Sequence, residues 1–165
     1  MPLAQALVTD FQSESANTRR VLDAFPEGRA DWKPHEKSMS LGRLAGHVAE
    51  LPGFVPAVLG GDYDFAAGDY KPFLATTRAE LLRVFEQHVQ GFEKALAGRD
   101  DAFLSATWTL RFQGKVLMSL PRHMAIRTTA IHHVIHHRGQ LTVYLRLLGV
   151  PVPPTYGPTA DHPAF

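Results

Sequence analysis

The chain has 165 residues, 45% of them apolar and 20% charged, which is the composition of a single globular domain with a substantial core. Its formal net charge is +1 with neutral histidines, so there is no broad basic field and we expect no nucleic-acid partner. It contains no cysteine, which excludes disulfides, thiolate metal ligands and a cysteine nucleophile.

The N-terminal stretch predicts neither a signal peptide nor a membrane anchor. It contains no basic segment followed by a long apolar run. Elsewhere in the chain no apolar run approaches the ~20 residues that are needed to cross a bilayer. We therefore expect one domain over residues 1–165, a cytoplasmic location and no membrane partner.

The first predicted helix runs from about Leu3 to Phe25, because apolar residues recur there at intervals of three and four. Pro26 and Gly28 end it. A polar loop follows, in which Trp32 is expected to pack at one end of the helices.

The second predicted helix begins after Ser40, whose hydroxyl can accept a hydrogen bond from a free backbone amide. Its apolar stripe extends to Leu59. His47 lies one residue from the centre of that stripe, and Glu50 follows one turn later. Prolines are unfavourable inside a helix, so we expect a kink or an early end near Pro52.

A long crossover loop is predicted over residues 60–76, followed by a third helix. Thr77 and Glu80 form a capping-box pattern at the start of this helix. Its apolar stripe continues to about Ala97. His88 lies at the edge of the stripe and is expected to be solvated.

The spacing of apolar residues changes from the helical pattern over residues 107–118, which predicts a short β-hairpin that turns at Gln113-Gly114. An irregular loop is the alternative. Pro121 suits the first turn of a fourth helix, with Ser119 as a possible cap. This helix is expected to continue to about Leu148, and the proline-rich tail after it should run extended.

Four long helices, each with one apolar stripe, predict an all-α four-helix bundle, with the hairpin before the last helix as a possible addition. The fourth helix carries a second apolar face as well. Such a helix is either deeply buried or shared with a second subunit, so we expect a homodimer through this face. The residues of the second face are Met124, Ile131, Ile135 and Leu145.

The fourth predicted helix contains four histidines within six residues. His133 and His137 stand one helical turn apart, and two imidazoles so placed can hold one transition-metal ion. Both fall within an apolar stripe that faces the interior, whereas His132 and His136 fall outside it. The alternative is a pair of core histidines that form hydrogen bonds and bind no metal. The stripe consists of Ile126, Ala130, Leu141, Tyr144 and Leu148.

The segment from His133 to Leu141, His-Val-Ile-His-His-Arg-Gly-Gln-Leu, resembles the closing helix of DinB/YfiT-like proteins, a family of metal-dependent enzymes unrelated to the DNA polymerase of that name. Trp32-Lys33-Pro34 and the stretch from Ser40 to Val48 resemble the family's second signature. Relatives often carry Asn-His-Glu-Thr where this chain has residues 132–135, His-His-Val-Ile, so a carboxylate of the family pattern is missing here.

The resemblance implies a bundle in up-down-down-up order and one divalent metal held by His47, His133 and His137. Three neutral imidazoles leave positions open for water or substrate, and they suit Zn, Ni, Fe, Mn or Co. Glu50 is the candidate general base, with a solvated surface carboxylate as the alternative. Gln140 is placed to orient a ligand or a water.

Relatives include thiol-dependent transferases and isomerases, so the resemblance implies a small-molecule substrate and a low-molecular-weight thiol as cosubstrate. A metal-dependent hydrolase is the nearest alternative. A dimeric module that binds a metal or a small ligand without catalysis is another, and a metal-free histidine network is a third. Arg138 is expected to form a structural salt bridge, and Tyr144 to line the pocket or pack in the core. Substrate specificity is expected to lie in residues 60–76 and 105–120.

Overall fold

Four long helical stretches, each apolar along one side, pack together in the computed structural model, which describes residues 1–68 and 70–163. The predicted bundle is confirmed, and it carries a small sheet at one end. The helices are α1 (Leu3–Asp23), α2 (Leu41–Glu50), α3 (Val55–Leu59), α4 (Arg78–Leu96), α5 (Asp101–Ser105), α6 (Arg122–Ile126) and α7 (His133–Leu147). The strands are β1 (Tyr63–Asp64), β2 (Thr107–Phe112) and β3 (Lys115–Pro121).

The starts of α2 and α4 are capped by the side chains that the sequence indicates. The Ser40 hydroxyl accepts the Arg43 amide at 3.3 Å, and the Thr77 hydroxyl accepts the Glu80 amide at 3.3 Å. Helix α2 ends just before Pro52, which lies in a 3-10 turn that leads into α3. The early end predicted near this proline is therefore confirmed.

Two hydrophobic clusters of the core give the directions of the helices. One cluster joins the end of α1 to the starts of α2 and α4 and the end of α7, through Leu22, Leu41, Leu81 and Leu141. The other joins the start of α1 to α3, the end of α4 and α6, through Phe11, Val58, Phe92 and Ile126. Helices α1 and α7 therefore run one way, and α2 and α4 the other, which is the up-down-down-up order. Because α2 and α4 are parallel neighbours, the loop between them must return along the bundle.

The predicted hairpin is present and turns at Gln113 and Gly114, which both have positive φ, at 51° and 77°. This is the geometry of the tight turns that fit twisted antiparallel strands. The crossover loop adds β1 to the hairpin as a parallel strand, with Tyr63 opposite Leu110. The sequence did not indicate this third strand, because two residues carry no readable alternation.

The last helix departs from the prediction of one continuous element. Strand β3 continues through Pro121, which precedes α6, so Ser119 pairs with Thr109 across the hairpin and does not cap the helix. Residues Arg127–His132 then form a π-helical segment between α6 and α7. The tail over residues 150–158 contains no helix, as its prolines predict.

The second apolar face of the last helix is mostly covered within the chain itself. Ile131 and Leu145 are buried in the core, and Met124 is 42% exposed. Burial within the chain thus accounts for most of this apolar face, and the homodimer stays a prediction. In the ranges that the structure describes, no helix combines the length and apolar character needed to span a membrane.

Candidate metal centre

Three histidines from two helices meet on one side of the bundle. His47 lies in the last turn of α2, and His133 and His137 lie in the first turns of α7. Each offers one ring nitrogen, and these atoms all lie within 4.8 Å of one another. The Nε2 atoms of His133 and His137 are 2.9 Å apart. The helical stripe thus identified the inward pair correctly, and the structure brings His47 to it.

The outer nitrogen of each ring faces a hydrogen-bond acceptor. His47 Nδ1 lies 3.0 Å from Glu50 Oε1, and His137 Nδ1 lies 2.7 Å from Gln140 Oε1. Thr129 lies one turn before His133, and its backbone raises the pKa of this ring, as a nearby carbonyl acceptor does, against the stronger lowering by burial. Because Nε2 of His133 faces His137, the nitrogen left for this backbone contact is Nδ1.

These acceptors favour protons on the outer nitrogens, and for His47 the 3.0 Å contact with Glu50 is shorter than the 3.4 Å between Nδ1 and the Arg43 guanidinium. A carboxylate, a backbone carbonyl and an amide oxygen can only accept, so the rings that contact them must donate an N–H from Nδ1. In a neutral imidazole the other nitrogen then carries a lone pair. The lone pairs of His133 and His137 point at each other across 2.9 Å, with the His47 ring beside them. A cation between the rings removes this repulsion, so the residues fit a divalent metal ion.

The surroundings of the histidines favour the neutral form that binds metals. Burial lowers the pKa of His133 to about 4, and the neighbouring rings of His137 and His47 lower it further. Burial also lowers the pKa of His137, against the opposing effect of its hydrogen bond with Gln140. At neutral pH both rings are therefore ready to bind a metal without losing a proton first.

The π-helical segment Arg127–His132 ends directly before His133. In a π turn each amide bonds to the carbonyl five residues back rather than four, so the backbone register shifts at this point. Such a shift changes which backbone carbonyls remain free for side chains in the turn directly before His133. No proline or glycine marks this segment, so it could not be predicted from the sequence.

Glu50 is not a solvated surface carboxylate, the alternative that the sequence left open. Its side chain is 13% exposed and accepts from His47, from the Tyr70 hydroxyl, from the Phe73 amide at 3.1 Å and from Arg43 at 2.9 Å. Burial raises the pKa of Glu50, but the hydrogen bonds and the Arg43 charge together bring it below its ordinary value. A carboxylate held by so many donors is suited to orienting His47.

Tyr70 closes this network from the crossover loop. Burial and the contact with Glu50 raise the pKa of Tyr70 to about 12, with Arg43 acting in the opposite direction. The hydroxyl therefore stays protonated and donates a hydrogen bond to the carboxylate. Tyr70, Arg43 and Phe73 were not identified from the sequence, because the loop that brings them to Glu50 follows no periodic pattern.

Two glycines of α2 let the crossover loop approach the helix. A Cβ at Gly42 would lie 2.3 Å from the carbonyl oxygen of Ala75, and one at Gly46 would lie 2.3 Å from that of Phe73. The Ala75 amide also donates to the Gly42 carbonyl at 3.1 Å. This close packing places the Phe73 amide beside Glu50. The Gly-x-x-x-Gly spacing was the signal in the sequence that could have indicated it.

A cavity of about 950 Å³ opens beside His47 and His133. Both segments in which specificity was expected contribute to its lining, with Tyr63 and Phe65 from the crossover loop and Leu110 from the hairpin. His137 is the buried member of the three histidines. The arrangement is an open site that a small molecule can reach.

Three further histidines, His88, His132 and His136, line the same cavity. His132 and His136 are exposed, in agreement with their position outside the stripe. His88 was expected to be solvated, and this was wrong: it is half-buried, and its Nδ1 lies 2.9 Å from the carbonyl oxygen of Ala49. Gly53 leaves the space that the ring occupies, since a Cβ there would lie 2.8 Å from His88 Nε2.

Arg138 and Tyr144 have structural contacts. Arg138 is 2% exposed and forms the predicted salt bridge, with Glu14 at 2.7 Å. Tyr144 donates to the Met39 carbonyl at 3.1 Å and packs edge-on against Trp32, so it belongs to the core. Gln140 contacts His137 and also lies 3.2 Å from His136 Nε2.

The fold and the site define a four-helix bundle with a three-histidine cluster that can bind a metal ion. The chain belongs to the DinB family, whose sequence pattern it matches over residues 1–164. It is 23% identical over 154 residues to the uncharacterized protein YrdA of Bacillus subtilis (strain 168), which covers 92% of this chain and 86% of that protein.

Two crystal structures of DinB-like proteins have the same fold. The protein from Bacillus cereus ATCC 10987 superposes with a TM-score of 0.72 at 24% identity, over 92% of this chain and 97% of the other. YjoA from Bacillus subtilis superposes with a TM-score of 0.66 at 18% identity, over 97% and 99% of the two chains. At these identities the likeness establishes the fold alone.

Proposed function

We propose that this protein is a metal-dependent enzyme in which His47, His133 and His137 hold one divalent transition-metal ion beside a small-molecule cavity. The observation that carries the proposal is the pair of inward nitrogens of His133 and His137, 2.9 Å apart, on rings whose outer nitrogens face acceptors. A purely structural histidine network would pair donors with acceptors inside the cluster. Here the acceptors lie outside it, which is the arrangement of metal-ligating histidines.

An ion held by three imidazoles keeps at least one position open, and there it would acidify a bound water or thiol and polarise a carbonyl. The ligand set is compatible with Zn, Ni, Fe, Mn or Co. The contribution of the chain is to orient the rings, through Glu50 and Gln140. It also admits a substrate to the side of the cluster on which His47 and His133 line the cavity.

The reaction that we favour is the transfer of a low-molecular-weight thiol to a small acceptor. The chain has no cysteine, so the thiol would be a cosubstrate. Its sulfur would form a bond to a carbon of the acceptor, the bond from that carbon to a leaving group would break and release the group as an anion, and the thiol proton would pass to a side chain that lines the cavity or to water. His132 lines the cavity with a ring outside the three-histidine cluster and is the candidate to take this proton, whereas Nε2 of His136 already lies 3.2 Å from the Gln140 amide nitrogen.

Hydrolysis is the alternative reaction, and it requires a base that activates water. The contacts of Glu50 occupy the carboxylate and keep its pKa low, which makes it a poor base. We therefore propose that Glu50 acts as a positioning residue. Its predicted catalytic role would be supported only if a thiol-independent hydrolysis were lost in the Glu50→Gln variant while metal content stayed intact.

The first test is the metal content of the tag-free protein, measured by elemental mass spectrometry. We expect about one metal ion per chain in wild type and none in the double variant His133→Ala/His137→Ala. The matched control is His35→Ala/His162→Ala, which removes two exposed histidines that belong neither to the cluster nor to the cavity lining and should keep the metal. No metal in wild type after incubation with Zn²⁺ or Ni²⁺ would refute the proposal.

The second test separates the reactions. Glutathione with 1-chloro-2,4-dinitrobenzene probes thiol transfer, and p-nitrophenyl acetate without thiol probes hydrolysis. Metal-dependent turnover that saturates with thiol supports the transferase. Turnover of the ester alone supports the hydrolase, and tight metal binding with neither activity, over a panel of thiols and acceptors, supports a module that binds without catalysis.

A further inference from the structure

One side of the cavity is built from three aromatic rings, Phe54, Tyr63 and Phe65, which we call the aromatic wall. Phe54 and Phe65 are nearly parallel, with ring centres 5.7 Å apart. Tyr63 stands perpendicular to both, at 5.4 Å from each. All three line the cavity, and Phe65 is 39% exposed. Aromatic surface, above all that of Phe65, is thus exposed inside a recess of the protein.

The aromatic wall is held in a fixed position. The Asp64 carboxylate, between Tyr63 and Phe65, accepts the amides of Gln113 and Gly114 at 3.0 and 2.8 Å. These hydrogen bonds attach the wall to the turn of the hairpin. Behind it, Phe54 packs edge-on against Trp108, which is fully buried. A wall fixed in this way loses little conformational freedom when a ligand packs on it.

The surface that the lining exposes to the cavity is largely apolar, although polar residues such as Thr128, Thr129 and His88 also contribute to it. Leu110 and Met118 of the hairpin extend the apolar surface beside the aromatic wall. Arg43 lines the cavity but is already paired with Glu50 at 2.9 Å, and Lys71 is the other cationic lining residue. A peptide-like polar ligand would leave most of its donors and acceptors without partners on this side.

We propose that the substrate accepted by this site carries a flat apolar group of one or two rings, which packs on the aromatic wall while its polar reacting group lies at the three histidines. Stacking and edge-to-face contacts of aromatic rings add to the free energy that comes from burying their area. This inference rests on the proposed function for the position of the polar group, but the aromatic wall itself requires no metal.

The test uses three hydroxamates that share one chelating group: acetohydroxamate, benzohydroxamate and 2-naphthohydroxamate. Their binding to the Zn²⁺-loaded protein is measured by titration calorimetry. From the binding efficiency of drug-sized ligands, we expect 2-naphthohydroxamate to bind on the order of 100-fold more tightly than acetohydroxamate. In Phe65→Ala the preference should fall about tenfold, with acetohydroxamate unchanged. Phe112→Ala is the control, since Phe112 is 49% exposed and lies on the hairpin outside the lining.

Equal affinity of the three hydroxamates in wild type would overturn the inference. If acetohydroxamate still bound in a metal-dependent way, the proposed metal centre would nevertheless be supported. A preference that persists in Phe65→Ala would also overturn it. If acetohydroxamate binds no better to wild type than to His133→Ala/His137→Ala, the proposed function fails instead. The role of the aromatic wall is then tested by the binding of 2-naphthol to the metal-free protein. Binding to wild type that is lost in Phe65→Ala supports the inference. Absence of binding to wild type, or equal binding to both proteins, refutes it.

Discussion

Replacing Gly46 by alanine adds one methyl group to α2 at the point where the crossover loop touches the helix. The new Cβ would lie 2.3 Å from the carbonyl oxygen of Phe73, whereas real Cβ atoms stay beyond 3.0 Å of their neighbours. The loop backbone must therefore retreat by roughly 0.7 Å or more. The Phe73 amide lies 3.1 Å from Glu50, so a movement of this size stretches that bond out of hydrogen-bonding range.

The expected effect on stability follows from two opposing contributions. Alanine is favoured over glycine inside a helix by roughly 0.5–1 kcal/mol, and overpacking against backbone atoms costs roughly 1–3 kcal/mol. Gly46→Ala should thus lower the free energy of unfolding by about 1–2 kcal/mol, which corresponds to a fall in Tm of roughly 2–8 °C for a chain of this length.

Gly91→Ala is the matched control, because this glycine lies inside α4 and a Cβ there meets nothing within 4 Å. Only the helix-propensity contribution remains at this position, so Tm should rise by roughly 1–4 °C. Both variants are compared with wild type by thermal unfolding followed by circular dichroism. Equal shifts of the same sign would refute the reasoning, since they would mean that the loop does not press on α2 at Gly46.

Further outcomes are expected. Glu50→Gln should weaken Zn²⁺ binding about 10- to 100-fold in a competition titration, while the exposed Glu86→Gln leaves it unchanged. Equal affinities of these two variants would exclude an orienting role for the carboxylate. Arg138→Met should lower the free energy of unfolding by about 2–4 kcal/mol in urea titrations, because it leaves a largely buried carboxylate without its cation; a loss below about 1 kcal/mol would contradict this. The metal-free protein should lose stability as the pH falls from 6.5 to about 4, since the unfolded chain then binds a proton that folded His133 does not take up. Tm measured against pH should show a smaller fall in His133→Ala, and identical profiles would count against this assignment.

The helical part of the site was readable from the sequence, because its geometry is local. The spacing of His133 and His137 on an apolar stripe was enough to place both rings inward. His47 came from the resemblance to relatives, since nothing in the spacing of a single histidine indicates which distant residue it meets. The position of His47 beside the other two histidines depends on the parallel packing of α2 and α4 and on the position of α7 beside them.

The residues that form hydrogen bonds around the three histidines were harder to predict, because their positions depend on irregular backbone. Glu50 was noticed, but the donors that surround it come from a loop whose course only the three-dimensional structure reveals. The shift in the backbone before His133 is a matter of hydrogen-bond register, to which side-chain periodicity is nearly insensitive. The burial of His88 followed from the absence of a side chain at Gly53, which single-residue patterns do not detect.

The crossover loop has two halves that differ in how freely they can be exchanged. Residues 60–68 supply part of the aromatic wall and are attached to the hairpin, not to the helices that bear the histidines. Residues 70–75 are anchored on α2 and on the carboxylate behind His47. A designer seeking a different ligand preference should therefore recombine or randomise the first half alone. Changes in the second half would alter the geometry of the histidines at the same time.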